Sequence, residues 1–280
     1  MKSIETLIPD IYALFGSRKE FDEEISKLYG ASMARMVSSR VPSGGYDPLL
    51  RMSNAGTPCE RKLWYSVNVP AEEQEPFPSQ VRFKFLYGDI LEELVLFLAA
   101  EAGHKVEGMQ DELDIGGVKG HRDAVIDGMV VDVKSTTSFG LQDFKNHLVQ
   151  ARDKFGYITQ LQLYLWASQD DPKVTIKDKA AFLAIDKTTG EMALDIQEKD
   201  YYNYEKVIEH KKKVISGELP PRLYKDQSDG MSGNMTLGVA CSYCSFKKKC
   251  WPGLRTFLYS SKPRYLTKVV KVPLVPELKD

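Results

Sequence analysis

No uninterrupted apolar stretch in this 280-residue chain is long enough to span a bilayer, which excludes a helical membrane span. The opening Met1-Lys-Ser-Ile-Glu-Thr6 lacks a secretory pattern, because acidic residues interrupt any hydrophobic segment. An intracellular protein is expected, and in that compartment disulfides are not. An excess of charge of one sign is also missing. The formal net charge is -1, so contact with nucleic acid would have to come from local basic patches. There is no internal repeat and no low-complexity tract. Cysteine is scarce, and Cys59, Cys241, Cys244 and Cys250 need an explanation other than disulfide bonds.

What is present is ordinary for a globular chain: 42% apolar and 28% charged residues. The length suits one large domain, or a domain with an appended lobe. Apolar residues recur at helical spacing over 4–15. Ser17-Arg-Lys-Glu20 has the form of a capping box before a helix over about 19–38. Pro42-Ser-Gly-Gly breaks the chain, 54–58 is a loop, Cys59 to Tyr65 starts a short helix, and 70–79 is a linker. The strongest helix expectation is Phe83 to Gly103, with a wide apolar face. Lys105 to Ile115 alternates as a strand. Leu141 to Asp153 and Tyr157 to Ser168 read as helices. Ala180 to Asp186 and Met192 to Gln197 read as paired strands around Lys187-Thr-Thr-Gly190. Tyr201 to Ile215 is a basic helix. Residues 225–238 are rich in Gly, Ser, Asp and Met and read as a mobile loop. This order of elements implies an α/β core with helices on both sides.

The stretch from Gly120 to Lys134 concentrates the chemistry. Asp127-Gly128 is a strong signal for a two-residue type I′ hairpin turn. That turn would pair Ile126 with Met129, Val125 with Val130, Ala124 with Val131, Asp123 with Asp132, and His121 with Lys134. Asp123, Asp132 and Lys134 would then share one face. Facing carboxylates repel, and a divalent cation between them reverses the sign of that interaction. On the long helix, Gly88-Asp89-Ile-Leu-Glu92-Glu93 adds acids to an apolar run. On a later helix, Tyr157, Gln160 and Tyr164 fall on one face.

The ordered set of Gly-x-x-x-Glu on a helix, Gly-x-x-Asp, Asp-x-Lys after a hairpin, and Gln-x-x-x-Tyr on a helix resembles the PD-(D/E)xK nuclease superfamily. Its RecB-like branch is the nearest in look. The resemblance implies a restriction-endonuclease-like core, a mixed central sheet flanked by helices, with a helical N-terminal part. It also implies that Asp123, Asp132 and the carbonyl of Val133 hold Mg²⁺ or Mn²⁺, with Glu92 as the helical ligand. Asp89 and Glu93 compete for that last role. Lys134 would orient and activate the attacking water, while Gln160 and Tyr164 support the lysine and the scissile strand. Oxygen ligands of this kind suit hard cations in phosphodiester hydrolysis.

Cys241-Ser-Tyr-Cys244 and Cys250, with Cys59 far upstream, are four thiolates able to hold zinc or an iron–sulfur cluster, and spacing does not choose between them. One distant cysteine plus a C-terminal trio resembles the iron–sulfur subset of RecB-like nucleases, which includes AddB-type and CRISPR-adaptation nucleases. That resemblance implies a structural [4Fe–4S] cluster tying 1–79 to a C-terminal lobe in 221–280, around a nuclease core in 80–220. Lysines at 206, 211–213, 247–249, 262, 268 and 271, with Arg264, are interleaved with Tyr243, Phe246, Trp251, Tyr259 and Tyr265. These are candidate contacts to phosphates and unpaired bases. The expected substrate is DNA, as single strands or duplex ends. A recombination or CRISPR partner protein and an oligomer are compatible with this reading. The expected compartment is the cytoplasm, that of a host if the chain is viral.

Overall fold

The computed structural model describes residues 2–18, 20–41, 48–70, 73–74, 79–260 and 262–278. Two compact units emerge. The first comprises Met1–Gly45, Leu50–Gly56 and Pro78–His210, and the second Tyr46–Leu49, Thr57–Phe77 and Lys211–Asp280. The expected break at Pro42 and most of the expected 70–79 linker lie outside the described residues.

In chain order the helices up to the central sheet are α1 (Leu7–Leu14), α2 (Glu23–Arg40), α3 (Met52–Ala55), α4 (Glu60–Asn68) and α5 (Ser79–Glu101). Strands β1 (Val106–Glu107), β2 (Glu112–Ile115), β3 (Val118–His121), β4 (Ala124–Ile126) and β5 (Met129–Thr136) follow. Next come α6 (Ser138–Lys145), α7 (Val149–Arg152), α8 (Tyr157–Ala167), β6 (Lys179–Asp186), β7 (Met192–Glu198) and α9 (Tyr204–Ser216).

The first unit is built on a mixed sheet in the order β1-β4-β5-β6-β7, with β5 and β6 parallel and the other neighbours antiparallel. The alternation of β5 sorts its residues between two cores. Val131 and Val133 pack with Leu7 and Ile11 of α1 and Leu91 and Val95 of α5. Val130 packs on the opposite face with Leu161 and Tyr164 of α8 and Phe144 of α6. Asp132 and Lys134 follow Val130 at period two, so they stand on the α8 face. The hairpin turn is as expected: Asp127 and Gly128 have φ of 50° and 86°, and the register pairs Ile126 with Met129 and Ala124 with Val131.

Several elements differ from the sequence reading. The cap of α2 is Asp22, whose Oδ1 accepts from Glu24 and Ile25 N–H, rather than Ser17. The expected strand over 105–115 is split at Gly108, and its second half pairs with β3 through the Gly116-Gly117 turn. His121 therefore lies opposite Glu112 on this extra hairpin and not opposite Lys134. The expected helix over 141–153 breaks at His147, which has φ of 55°.

The second unit contains α4, α10 (Val239–Ser242), α11 (Lys247–Cys250) and strands β8 (Gln227–Ser228), β9 (Met235–Thr236), β10 (Arg255–Tyr259), β11 (Lys262–Lys268) and β12 (Glu277–Leu278). Its sheet runs β12-β10-β11-β9-β8. The segment expected to be a mobile loop supplies β8 and β9. Buried Asn234 pins it by accepting Val270 and Lys271 N–H and donating to the Lys271 carbonyl. The boundary between the units falls within α9, between His210 and Lys211.

Candidate active site

Asp132 is 1% exposed, and neither of its carboxylate oxygens accepts a well-formed hydrogen bond. Lys134 Nζ lies 2.5 Å from Oδ2 as an ion pair whose angles fall short of a hydrogen bond. Asp123 sits one residue before the last ladder pair, and its Oδ2 accepts Val133 N–H at 2.7 Å. Val133 is thus tied to the site through its amide. Burial, then the neighbouring Asp132 charge, pushes the Asp123 carboxyl up to about 7. Asp132 is also raised, chiefly by burial.

The three acids on α5 are separated by what each faces. Asp89 receives a hydrogen bond from Arg40 Nη2 at 3.3 Å, and Glu93 accepts from Ser32 Oγ at 2.8 Å. Glu92 faces Gln110 and senses the hairpin acids. Its carboxyl is pushed up to about 9 by burial and then by the charges of Asp123 and Asp132. Gln110 holds it there: its Nε2 donates to Glu92 Oε1 at 2.8 Å, and its backbone N–H donates to the Asp123 carbonyl. Gln110 adopts a left-handed φ of 57°, a conformation that costs energy for a residue other than glycine. Sequence reasoning missed this residue, which it placed within a regular strand.

Burial works against the charge of Lys134, but Asp132 and Asp123 outweigh it, so the lysine stays protonated above the ordinary range. Its Nζ lies 5.0 Å from the Tyr157 ring. Gln160 Nε2 donates to the buried Tyr164 hydroxyl at 3.0 Å, and that hydroxyl is raised above the usual phenol range by burial. The α8 residues named from the sequence therefore share the face of Asp132 and Lys134. Arg122, next to Asp123, is fully buried and serves packing: it donates to Ser168 and pairs with Asp111 and Asp171.

The buried Asp132 carboxylate makes no well-formed hydrogen bond, is ion-paired with Lys134 and stands in a cluster of mutually repelling acids, and that donor set fits a hard divalent cation. Among the described residues, no three His, Cys, Asp or Glu side chains stand close enough, as placed, to form a finished ion site.

A model of the PD-(D/E)XK nuclease superfamily matches residues 53–251. The chain belongs to the PD-(D/E)XK nuclease superfamily. As a member, it has a mixed sheet flanked by helices that is compatible with the restriction-endonuclease-like core. Among solved structures it is similar to the crystal structure of SSO0001, at 17% identity and a TM-score of 0.43, over 81% of this chain and 96% of that one. It is also similar to a phage related exonuclease from Haemophilus somnus 129PT, at 16% identity and a TM-score of 0.36, over 62% of this chain and 92% of that one. No curated protein matches.

In the second unit all four cysteines are free thiols and partly buried. Burial, then the charges of Cys244, Cys59 and Cys250, pushes Cys241 up to about 11. Thiols separated by most of the sequence therefore sense one another. Cys244 and Cys250 pack against Tyr65, Val69 and Phe246. Phe246 is 3% exposed and its ring stacks on Tyr65 at 5.5 Å, so it is a core residue and not a base platform. Lys211 and Lys249 are paired with Glu60 and Glu73, whereas Tyr243 is 68% exposed. No helix is long and apolar enough to cross a membrane among the described residues.

Proposed function

We propose that this chain is a Mg²⁺- or Mn²⁺-dependent DNA exonuclease whose hydrolytic site is Glu92, Asp123, Asp132, Lys134, Gln160 and Tyr164. The observation that carries the reading is the Asp132 carboxylate. It is buried, accepts no well-formed hydrogen bond on either oxygen, is ion-paired with Lys134, and lies near two more acids. Asp123, Asp132, Glu92 and the Val133 carbonyl would hold the cation. When bound, it supplies a water of lowered pKa and neutralises charge on the phosphate oxygens.

The remaining chemistry belongs to the chain. Asp132 and Asp123 stabilise the Lys134 ammonium in the metal-free protein, and Lys134 would orient and activate the attacking water and stabilise charge on the scissile phosphate. Asp132 anchors that ammonium. Glu92 holds a proton at neutral pH and must release it when a cation arrives. Gln110 aims Glu92, and the Gln160–Tyr164 pair lines the same face of the sheet as the lysine.

Four partly buried free thiols, with Cys241 and Cys244 both raised by burial and by neighbouring cysteines, support a structural [4Fe–4S] cluster at Cys59, Cys241, Cys244 and Cys250, with zinc the competing occupant. A role in recombination, repair or genome degradation in a cytoplasm, or in trimming CRISPR spacer precursors, follows from the resemblance. The test is incubation with end-labelled single-stranded, duplex and circular DNA in Mg²⁺ or Mn²⁺. Degradation of linear DNA with circles spared is expected. Cut circles would make the protein an endonuclease, and no cutting at all would leave a DNA-binding scaffold.

A further inference from the structure

The turn between α7 and α8 is unusually well locked for a surface loop. Asp153 Oδ1 accepts the N–H groups of Phe155, Gly156 and Tyr157, and Oδ2 accepts that of Ile158. One carboxylate thus satisfies the donors that open α8. Gly156, at φ of 86°, lies so close to Gly56 that a Cβ would stand 1.8 Å from the Gly56 carbonyl oxygen. A loop fixed at this level has little freedom to tuck a side chain away. Yet it presents Phe155 at 49% exposure, a large apolar ring held partly in water.

The position of that ring gives it a use. Phe155 and Tyr157 lie 5.5 Å apart with planes tilted by 32°. Tyr157 in turn lies 5.0 Å from Lys134 Nζ and 6.4 Å from Phe182, the ladder partner of Asp132. An aromatic path therefore leads from the lysine and carboxylate to solvent, ending in a ring with an open side. Lys134 would address a phosphate, and the base of a neighbouring nucleotide lies within reach of such a ring only if it is unpaired.

We propose that Phe155 is a base-stacking platform that receives an unpaired nucleotide next to the scissile phosphate and so sets a preference for single-stranded or frayed DNA. The proposal rests on the nuclease reading above. Phe155 positions substrate and takes no part in proton transfer.

The test measures binding of short fluorescent single-stranded and blunt duplex DNA by anisotropy in a cleavage-silent Asp132→Asn background, with the Phe155→Ala, Phe155→Leu and Phe155→Trp changes added. Both Phe155→Ala and Phe155→Leu should weaken single-strand binding by roughly 5- to 150-fold, the range of one base–aromatic stack. The salt slope and duplex binding should stay unchanged, and Phe155→Trp should restore affinity. In the cleaving protein, Phe155→Ala should raise KM with kcat nearly constant. Unchanged affinity, equal loss on both DNAs, or full affinity with leucine would overturn the proposal. An otherwise unmodified protein that cuts no DNA would sink the nuclease reading itself, a result distinct from any of these.

Discussion

Replacing Glu92 with glutamine removes a charge but keeps an acceptor for Gln110 Nε2. The Glu92 carboxyl is raised from 4.5 to about 9, first by burial and then by Asp123 and Asp132. A carboxyl raised on folding favours the folded state fully below its unfolded pKa, and that contribution is lost as pH rises toward the folded value. The wild-type protein without metal should therefore lose stability between about pH 4.5 and 9 through this residue, while Glu92→Gln should not. At pH 7 the difference amounts to about 3 kcal/mol in favour of the glutamine. For a chain of this size that is roughly 6–12 °C in Tm. The assay is thermal unfolding in EDTA across pH 5 to 9, repeated with Mn²⁺. The variant should be the more stable in EDTA by a margin that widens with pH, while Mn²⁺ should stabilise the wild type alone. A variant less stable in EDTA, or a margin that does not change with pH, would refute the electrostatic reasoning.

Gln110→Ala removes the donor that aims Glu92, and should weaken Mn²⁺ binding about 10- to 100-fold by calorimetry with little loss of Tm. Cys250→Ala should abolish the brown absorbance expected of anaerobically purified protein, and stoichiometric zinc without iron in the wild type would overturn the cluster assignment. Gly156→Ala forces a Cβ toward the Gly56 carbonyl at a left-handed φ, and should cost about 3 kcal/mol or more in denaturant unfolding; a smaller loss would mean the two loops separate easily.

The hairpin was legible because Asp127-Gly128 demanded a type I′ turn, and a two-residue turn fixes which residues pair on either side of it. Glu92 is named over Asp89 and Glu93 from the resemblance alone, because local sequence does not separate the three. These acids share one turn of α5 and differ only in meeting Arg40, Gln110 and Ser32, which arrive from elsewhere in the chain. Arg122 was hidden for a like reason: an arginine in a charged run reads as exposed until Asp111, Asp171 and Ser168 are seen around it. Strands β8 and β9 were lost to their shortness, two residues each, and to a polar composition. The Asn234 side chain holds that segment through hydrogen bonds to the backbone of Val270 and Lys271, which leave no hydrophobic pattern.

The most direct measurement pairs Mn²⁺ calorimetry with cleavage of end-labelled single-stranded DNA, for the wild type and Asp132→Ala. The wild type should bind Mn²⁺ and cut, and the variant should fold and bind DNA while losing both the ion and the cutting. Metal-dependent cleavage that survives in Asp132→Ala would contradict it.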